Sequence, residues 1–314
     1  MHRPPMPPQS LSCPVGSKLS AVIQLSRRLC PLIGWRRLFE LAERAAKNRA
    51  VMTGTPLLSV CKVSKTFGAL AALRDLSFDV AEGEVLGIGG PNGAGKTTLF
   101  EVISGLNPAT SGKIMFDRRD ITEATPEAIC HAGIARTFQL NAGFDSMSVR
   151  ENVRVAAYFG RENRLVPGLF VGKDVEAIAD EAIHAVGLGR RQHLITGQLP
   201  VLDRKLLMLA SAIATSPKLL LMDEPVGGLN SKEIDQMMGL VRGLKKRGIT
   251  VILIEHVMRF LVQLASRVMI LHHGERIYEG SPSGLVRDRT VIDVYLGQGA
   301  SQRLSALLNT PEGT

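Results

Sequence analysis

The chain has 314 residues, 45% of them apolar, with 38 Lys and Arg against 29 Asp and Glu and a formal charge of +9. That length holds one large α/β domain with an insert, and no apolar run reaches the roughly 18 residues of a bilayer-crossing helix. The cysteines Cys13, Cys30, Cys61 and Cys130 form no C-x-x-C pair, which argues against a disulfide scaffold or zinc framework and for a reducing compartment. The basic balance resembles a nucleic-acid signal until it is mapped. Residues 1–52 carry nine Lys or Arg and two acids, a surplus of +7, and the rest of the chain carries only +2. The charge belongs to an N-terminal extension, and no nucleic-acid partner is expected.

In that extension residues 1–16 contain five prolines, a composition expected to be disordered. Residues 17–50 suit one or two basic amphipathic helices with Trp35, Leu38, Phe39 and Leu41 on the apolar side. Three readings stay open: a segment lying on an anionic membrane surface, a targeting segment, or residues absent from a mature protein that starts at Met52.

Residues 57–120 read as β-rich, including Ser111 to Asp117. Within them the run Glu84 to Gly89 reads as a short buried strand. It leads into Gly90-Pro91-Asn92-Gly93-Ala94-Gly95-Lys96-Thr97, which has the spacing G-x-x-x-x-G-K-[ST]. Thr98 to Ile103 then opens a helix. Strand, loop and helix in that order make a phosphate cradle. Glycines let successive N–H groups converge on anionic oxygens, and the helix N-terminus adds a partial positive charge. Lys96 supplies a full charge for the terminal phosphates, and Thr97 offers a hydroxyl to Mg²⁺.

Residues 121–215 read as helix-rich, with Val175 to Val186 apolar at helical spacing, and Gly160 to Gly168 reads as a loop. Strand–helix alternation returns over 216–300, where Lys218 to Asp223 reads as a buried strand ending in Asp223 and Glu224. An aspartate there can hold Mg²⁺ through water, and Glu224 is placed to polarise an attacking water. Thr250 to His256 reads as another apolar strand, ending in a histidine beside the ligand crevice of an open α/β sheet. Residues 301–314 form a tail. No internal repeat is visible and only one P-loop is present.

The order P-loop, Gln139, Asp223-Glu224, His256 resembles the ATP-binding cassette of ABC transporters, over roughly Leu57 to Gly297. The phrases Gly133 to Gln139, Met147 to Val153, Glu224 to Asn230, Ile254-Glu255-His256 and Val294 to Gly297 are similar to those of branched-chain amino acid importer ATPases. The resemblance implies an α/β P-loop NTPase cassette over 53–300. It would have a mainly parallel core sheet, an antiparallel β subdomain and a helical subdomain at about 121–215. It implies ATP and Mg²⁺, with Phe67 stacking on adenine, Gln139 sensing Mg²⁺ and the attacking water, and His256 touching the γ-phosphate. Asn230 stands where the family usually has aspartate.

One stretch departs from the family. The signature Leu-Ser-Gly-Gly-Gln is Leu199-Pro200-Val201-Leu202-Asp203 here. In the family this element closes over the ATP of the opposite subunit. Pro200 offers neither hydroxyl nor N–H, although proline suits the first turn of a helix. Asp203 would repel a triphosphate unless it turned back to cap the helix.

The expected function is the ATP-hydrolysing subunit of an importer for branched-chain amino acids or related small polar solutes, peripheral on the cytoplasmic face of the inner membrane. Its expected partners are transmembrane permease subunits, a second ATPase subunit or a second copy, and indirectly a solute-binding protein. The alternative is an ATP-driven switch in a non-transport or envelope lipid-export assembly.

Overall fold

The computed structural model describes residues 55–137, 143–160, 173–285, 288 and 291. All the elements below belong to the unit Pro56–Thr314. Strands β1 (Leu58–Phe67), β2 (Leu70–Val80), β4 (Ser111–Phe116) and β5 (Arg119–Asp120) form an antiparallel sheet in the order β2-β1-β4-β5. A second sheet has the order β10-β9-β3-β8-β7-β6. Its strands are β3 (Val85–Gly89), β6 (Ile134–Thr137), β7 (Leu219–Asp223), β8 (Thr250–Ile254), β9 (Arg267–His272) and β10 (Glu275–Gly280). Every pairing from β9 to β6 is parallel, and only β10 on the edge is antiparallel.

The parallel core follows from composition. All five residues of β3, β7 and β8 are buried, as expected of apolar runs covered on both faces. Alternation along the strands divides the core in two. Leu86, Ile88, Leu219, Leu221, Ile252 and Ile254 point to one layer with Leu99, Phe100 and Ile103. Val85, Leu220, Met222, Val251 and Leu253 point to the other, with Leu206, Leu209, Met237 and Phe260.

The helices are α1 (Lys96–Ile103), α2 (Pro126–Ala132), α3 (Val149–Phe159), α4 (Lys173–Ala185), α5 (Val201–Ala214), α6 (Ser231–Lys246), α7 (Met258–Leu264) and α8 (Pro282–Leu285). Helix α1 starts two residues before the expected Thr98, because Gly95 takes the N-cap position. The strand expected to run through His256 stops at Ile254. The helix-rich stretch 121–215 also contains β6, which returns to the core sheet beside β7. Its Ile134 and Ala135 are buried with the other strands, so burial supplies what four residues of pattern do not. Most of the expected loop 160–168 lies outside the described residues.

Candidate nucleotide site

Parallel order brings the chemistry together. The P-loop follows β3, Asp223 ends β7, and Glu255 and His256 follow β8, so all emerge at the carboxyl ends of three adjacent strands. That edge is where open α/β sheets bind ligands.

Loop glycines are required here by close packing. Gly95 has φ 97°, and a side chain on it would collide with the Ala72 carbonyl oxygen. Gly90 has φ 144°, and a side chain there would strike the Leu271 carbonyl. The loop is thus pressed against β2 and β9 by its own backbone. Asn92, Gly93 and Thr97 are exposed on its outer side, whereas Ala94 and Lys96 are buried and Pro91 and Thr98 are half-buried. Lys96 donates to the carbonyls of Gly90 at 2.8 Å and Pro91 at 2.9 Å, which holds its ammonium within the loop. Burial lowers the Lys96 pKa, while Glu224 and Asp223 pull it back up. The N-terminal amides of α1 receive no side-chain cap from Gly95, so the turn presents donors suited to phosphate oxygens.

Phe67 ends β1 and is 44% exposed, with the Lys65 ammonium 4.9 Å above its ring. It pairs with Leu70 across the hairpin, two residues from the Ala72 carbonyl that meets Gly95. Gln139 lies outside the described residues.

Asp223 is buried and accepts a hydrogen bond from Arg136 at 2.9 Å through Oδ2. Its Oδ1 is buried and accepts none among the described residues. Burial raises the Asp223 pKa, and Arg136 opposes the rise. Glu224, one residue on, has φ 48°, an uncommon conformation for a side chain of this size. It turns the carboxylate out of the strand, to 2.8 Å from His256 Nε2. Behind them Glu255 is buried, and its carboxylate accepts the N–H groups of Val226 (2.8 Å), His256 (3.0 Å) and Val257 (3.2 Å). Burial raises the Glu255 pKa against these three donors.

Among the described residues no group of three His, Cys, Asp or Glu could hold a metal by itself. Mg²⁺ keeps waters and binds through few protein groups plus substrate phosphates. The buried free Oδ1 of Asp223, on the strand beside the P-loop's neighbour, fits such a hydrated cation.

The altered signature folds differently from its expectation. Pro200 is the N-cap of α5 rather than a first-turn residue, and it provides no side-chain cap. Leu199 is buried, Leu202 is half-buried, and Val201 is 48% exposed. Asp203 neither faces outward nor caps the helix. Its carboxylate is buried and pairs with Arg191, whose side chain is half exposed, so its charge is matched by a neighbouring cation. Asn230 caps α6, accepting from Lys232 N and Glu233 N, while Glu233 accepts from Asn230 N at 2.8 Å. An amide oxygen serves that cap as well as a carboxylate. Arg136, Glu255 and Lys205 also belong to the site, although local pattern assigns them no role; Arg136 and Glu255 are charges set in or directly after an apolar run, whereas Lys205 follows Asp203 and Arg204.

This fold and edge define a P-loop ATPase. Residues 73–227 match the family described as ABC transporter. The chain is 32% identical over 251 residues to a probable branched-chain amino acid transport ATP-binding protein, LivG, of Archaeoglobus fulgidus, covering 78% of this chain and 97% of that one. It is 31% identical to the high-affinity branched-chain amino acid transport ATP-binding protein BraF of Pseudomonas aeruginosa, covering 77% and 98%. A nucleotide-free ATP-binding cassette from an ABC transporter superposes with a TM-score of 0.71 at 28% identity, over 78% of this chain and all of that one. A cassette in its ADP conformation gives 0.70 at 29%, with the same coverage. The chain belongs to the ABC transporter family, as an ATP-binding, ATP-hydrolysing cassette. No helix among the described residues is long and apolar enough to cross a membrane.

Proposed function

We propose that this cassette drives an importer for branched-chain amino acids or related small polar solutes. The observation that carries the reading is its 32% identity, over nearly the whole length of the relative, to a protein named for branched-chain amino acid transport.

In this account the phosphates of ATP lie on Lys96 and the loop amides from Gly93 to Thr98, and Phe67 stacks on adenine. Thr97, Gln139 and Asp223 would hold Mg²⁺, which would supply positive charge against the phosphates. Glu224 takes the proton of the attacking water, and His256 shares its Nε2 between Glu224 and the γ-phosphate. General-base help of this kind contributes about 10²–10⁴-fold in rate. Left-handed backbone at Glu224 and the Glu255 hydrogen bonds support this placement, because they pre-set the carboxylate at no further cost in ordering.

Two cassettes close head to tail, and the partner is a different chain that supplies an intact signature. Permease subunits engage the surface from Phe144 to Val153, at the cytoplasmic face of the membrane, and the solute-binding protein acts through them. Phe144 is 54% exposed. Its N–H and C=O are tied to the Asn152 side chain on α3 at 2.7 and 3.1 Å. An apolar groove of about 270 Å³, lined by Leu106, Ile129, Thr137, Gly143, Ala156 and Leu207, opens beside it.

The test is reconstitution in vesicles with the permease subunits and binding protein. ATP turnover and uptake should rise together with leucine, isoleucine or valine. Turnover indifferent to these solutes would refute the assignment.

A further inference from the structure

Lys205 lies in the second turn of α5 and is 9% exposed. It shares the lining of a small cavity with Met208, Leu209, Met222, Pro225 and Met237, and with the polar Thr137 and Asp223. An ammonium in such a setting is expensive to desolvate, and a methionine would fill the space without that penalty. Burial lowers the Lys205 pKa, and the carboxylates of Glu255 and Glu224 act against it. The atom it reaches is the main-chain carbonyl oxygen of Glu224, at 3.0 Å.

That carbonyl belongs to the residue with φ 48°. Non-glycine residues hold such a conformation only where their surroundings over-determine it. The Glu224 N–H is tied to the Ile254 carbonyl at 2.9 Å, and its carbonyl also accepts from Gly227 N at 3.3 Å. Glu255 then ties Val226 N to the amides of His256 and Val257. The main chain of Glu224 is therefore fixed from α5 by Lys205 and from β8 by Ile254, and two residues on Glu255 ties Val226 to the segment bearing His256.

We propose that Lys205 is a positioning residue, which fixes the Glu224 main chain from α5 and, together with Glu255, holds the Glu224 carboxylate against His256. The position of α5 becomes part of the geometry of the base through a single hydrogen bond. This rests on Glu224 acting as the base.

The test uses the full-length chain and its variants Lys205→Met, Lys205→Arg, Glu224→Gln and the Lys205→Met/Glu224→Gln pair. Mg-ATP affinity, turnover and amide exchange over residues 224–228 are measured. Lys205→Met should keep nucleotide affinity within about twofold and lower turnover by about 10²-fold, the scale of a small misplacement of a catalytic group. It should also speed exchange at Val226 and Gly227. Lys205→Arg, which can still donate, should recover part of both. In the Glu224→Gln background Lys205→Met should cause no further loss, because both changes act on one function. Wild-type turnover and exchange in Lys205→Met would overturn the proposal, as would losses that multiply in the double variant. Wild-type turnover in Glu224→Gln alone would instead remove the base assignment on which it stands.

Discussion

Arg136 and Asp223 form a buried ion pair at 2.9 Å across the ends of β6 and β7, their side chains 8% and 1% exposed. The arrangement occupies Oδ2 and leaves Oδ1 for the site. Replacing Arg136 by leucine strands a carboxylate in a place that penalises its charge. Stability should fall by roughly 3–5 kcal/mol, the usual consequence of removing one partner of a buried pair. Urea unfolding checks this. A change within error would mean that Asp223 finds another partner or protonates at little cost.

Lys96→Ala should abolish tight Mg-ATP binding. Lys96 is the only full positive charge the loop itself offers, and Gly90 and Pro91 hold it by their carbonyls. Calorimetric titration gives the answer directly, and unchanged affinity would take Lys96 out of the site.

Much of this was legible in the sequence, because both the strands and the P-loop are written in local pattern. The runs into Gly89, Asp223 and Ile254 are continuous and apolar, and each became a fully buried strand. Strand β6 was hidden because four residues carry no period, and only its pairing with β7 defines it. For Asp203 the sequence offered repulsion of a triphosphate or a turn back to cap the helix, and the pairing with Arg191 was not among these because that residue is distant in pattern but adjacent in space. The roles of Arg136, Lys205 and Glu255 come from tertiary neighbours, which a sequence window does not contain.

The inward turn of Asp203 changes what should restore the signature. Pro200→Ser with Leu202→Gly should raise the ATP turnover of the lone chain, since these return the hydroxyl and the flexible backbone. Adding Asp203→Gln should give nothing further in rate. It should cost about 1–2 kcal/mol in stability through the weakened bond to Arg191. Turnover and melting of the double and triple variants decide it. No gain in the double variant would mark the altered signature as functionally neutral.

Glu151 sets part of the acid stability. Its carboxylate accepts the Ser148 N–H at 2.7 Å and the Ser148 hydroxyl at 2.8 Å, and these bonds lower its pKa. A folded value below the unfolded one means that this contribution is complete above the ordinary value near 4.5 and is lost as pH falls through the folded value. Glu151→Gln should therefore be less stable than the parent at pH 7, and the difference should shrink as pH falls below that value. Melting curves from pH 7 to 3 test the sign, and a gap that widens on acidification would contradict it.

The most direct measurement is turnover and ATP binding of Glu224→Gln. The amide keeps the shape beside His256, whose Nε2 is 2.8 Å from Glu224 Oε1, but cannot accept the proton of water. Turnover should fall by about 10²–10⁴-fold while Mg-ATP affinity holds and a dimer accumulates with ATP on gel filtration. Turnover at the parent rate would contradict the account at its centre.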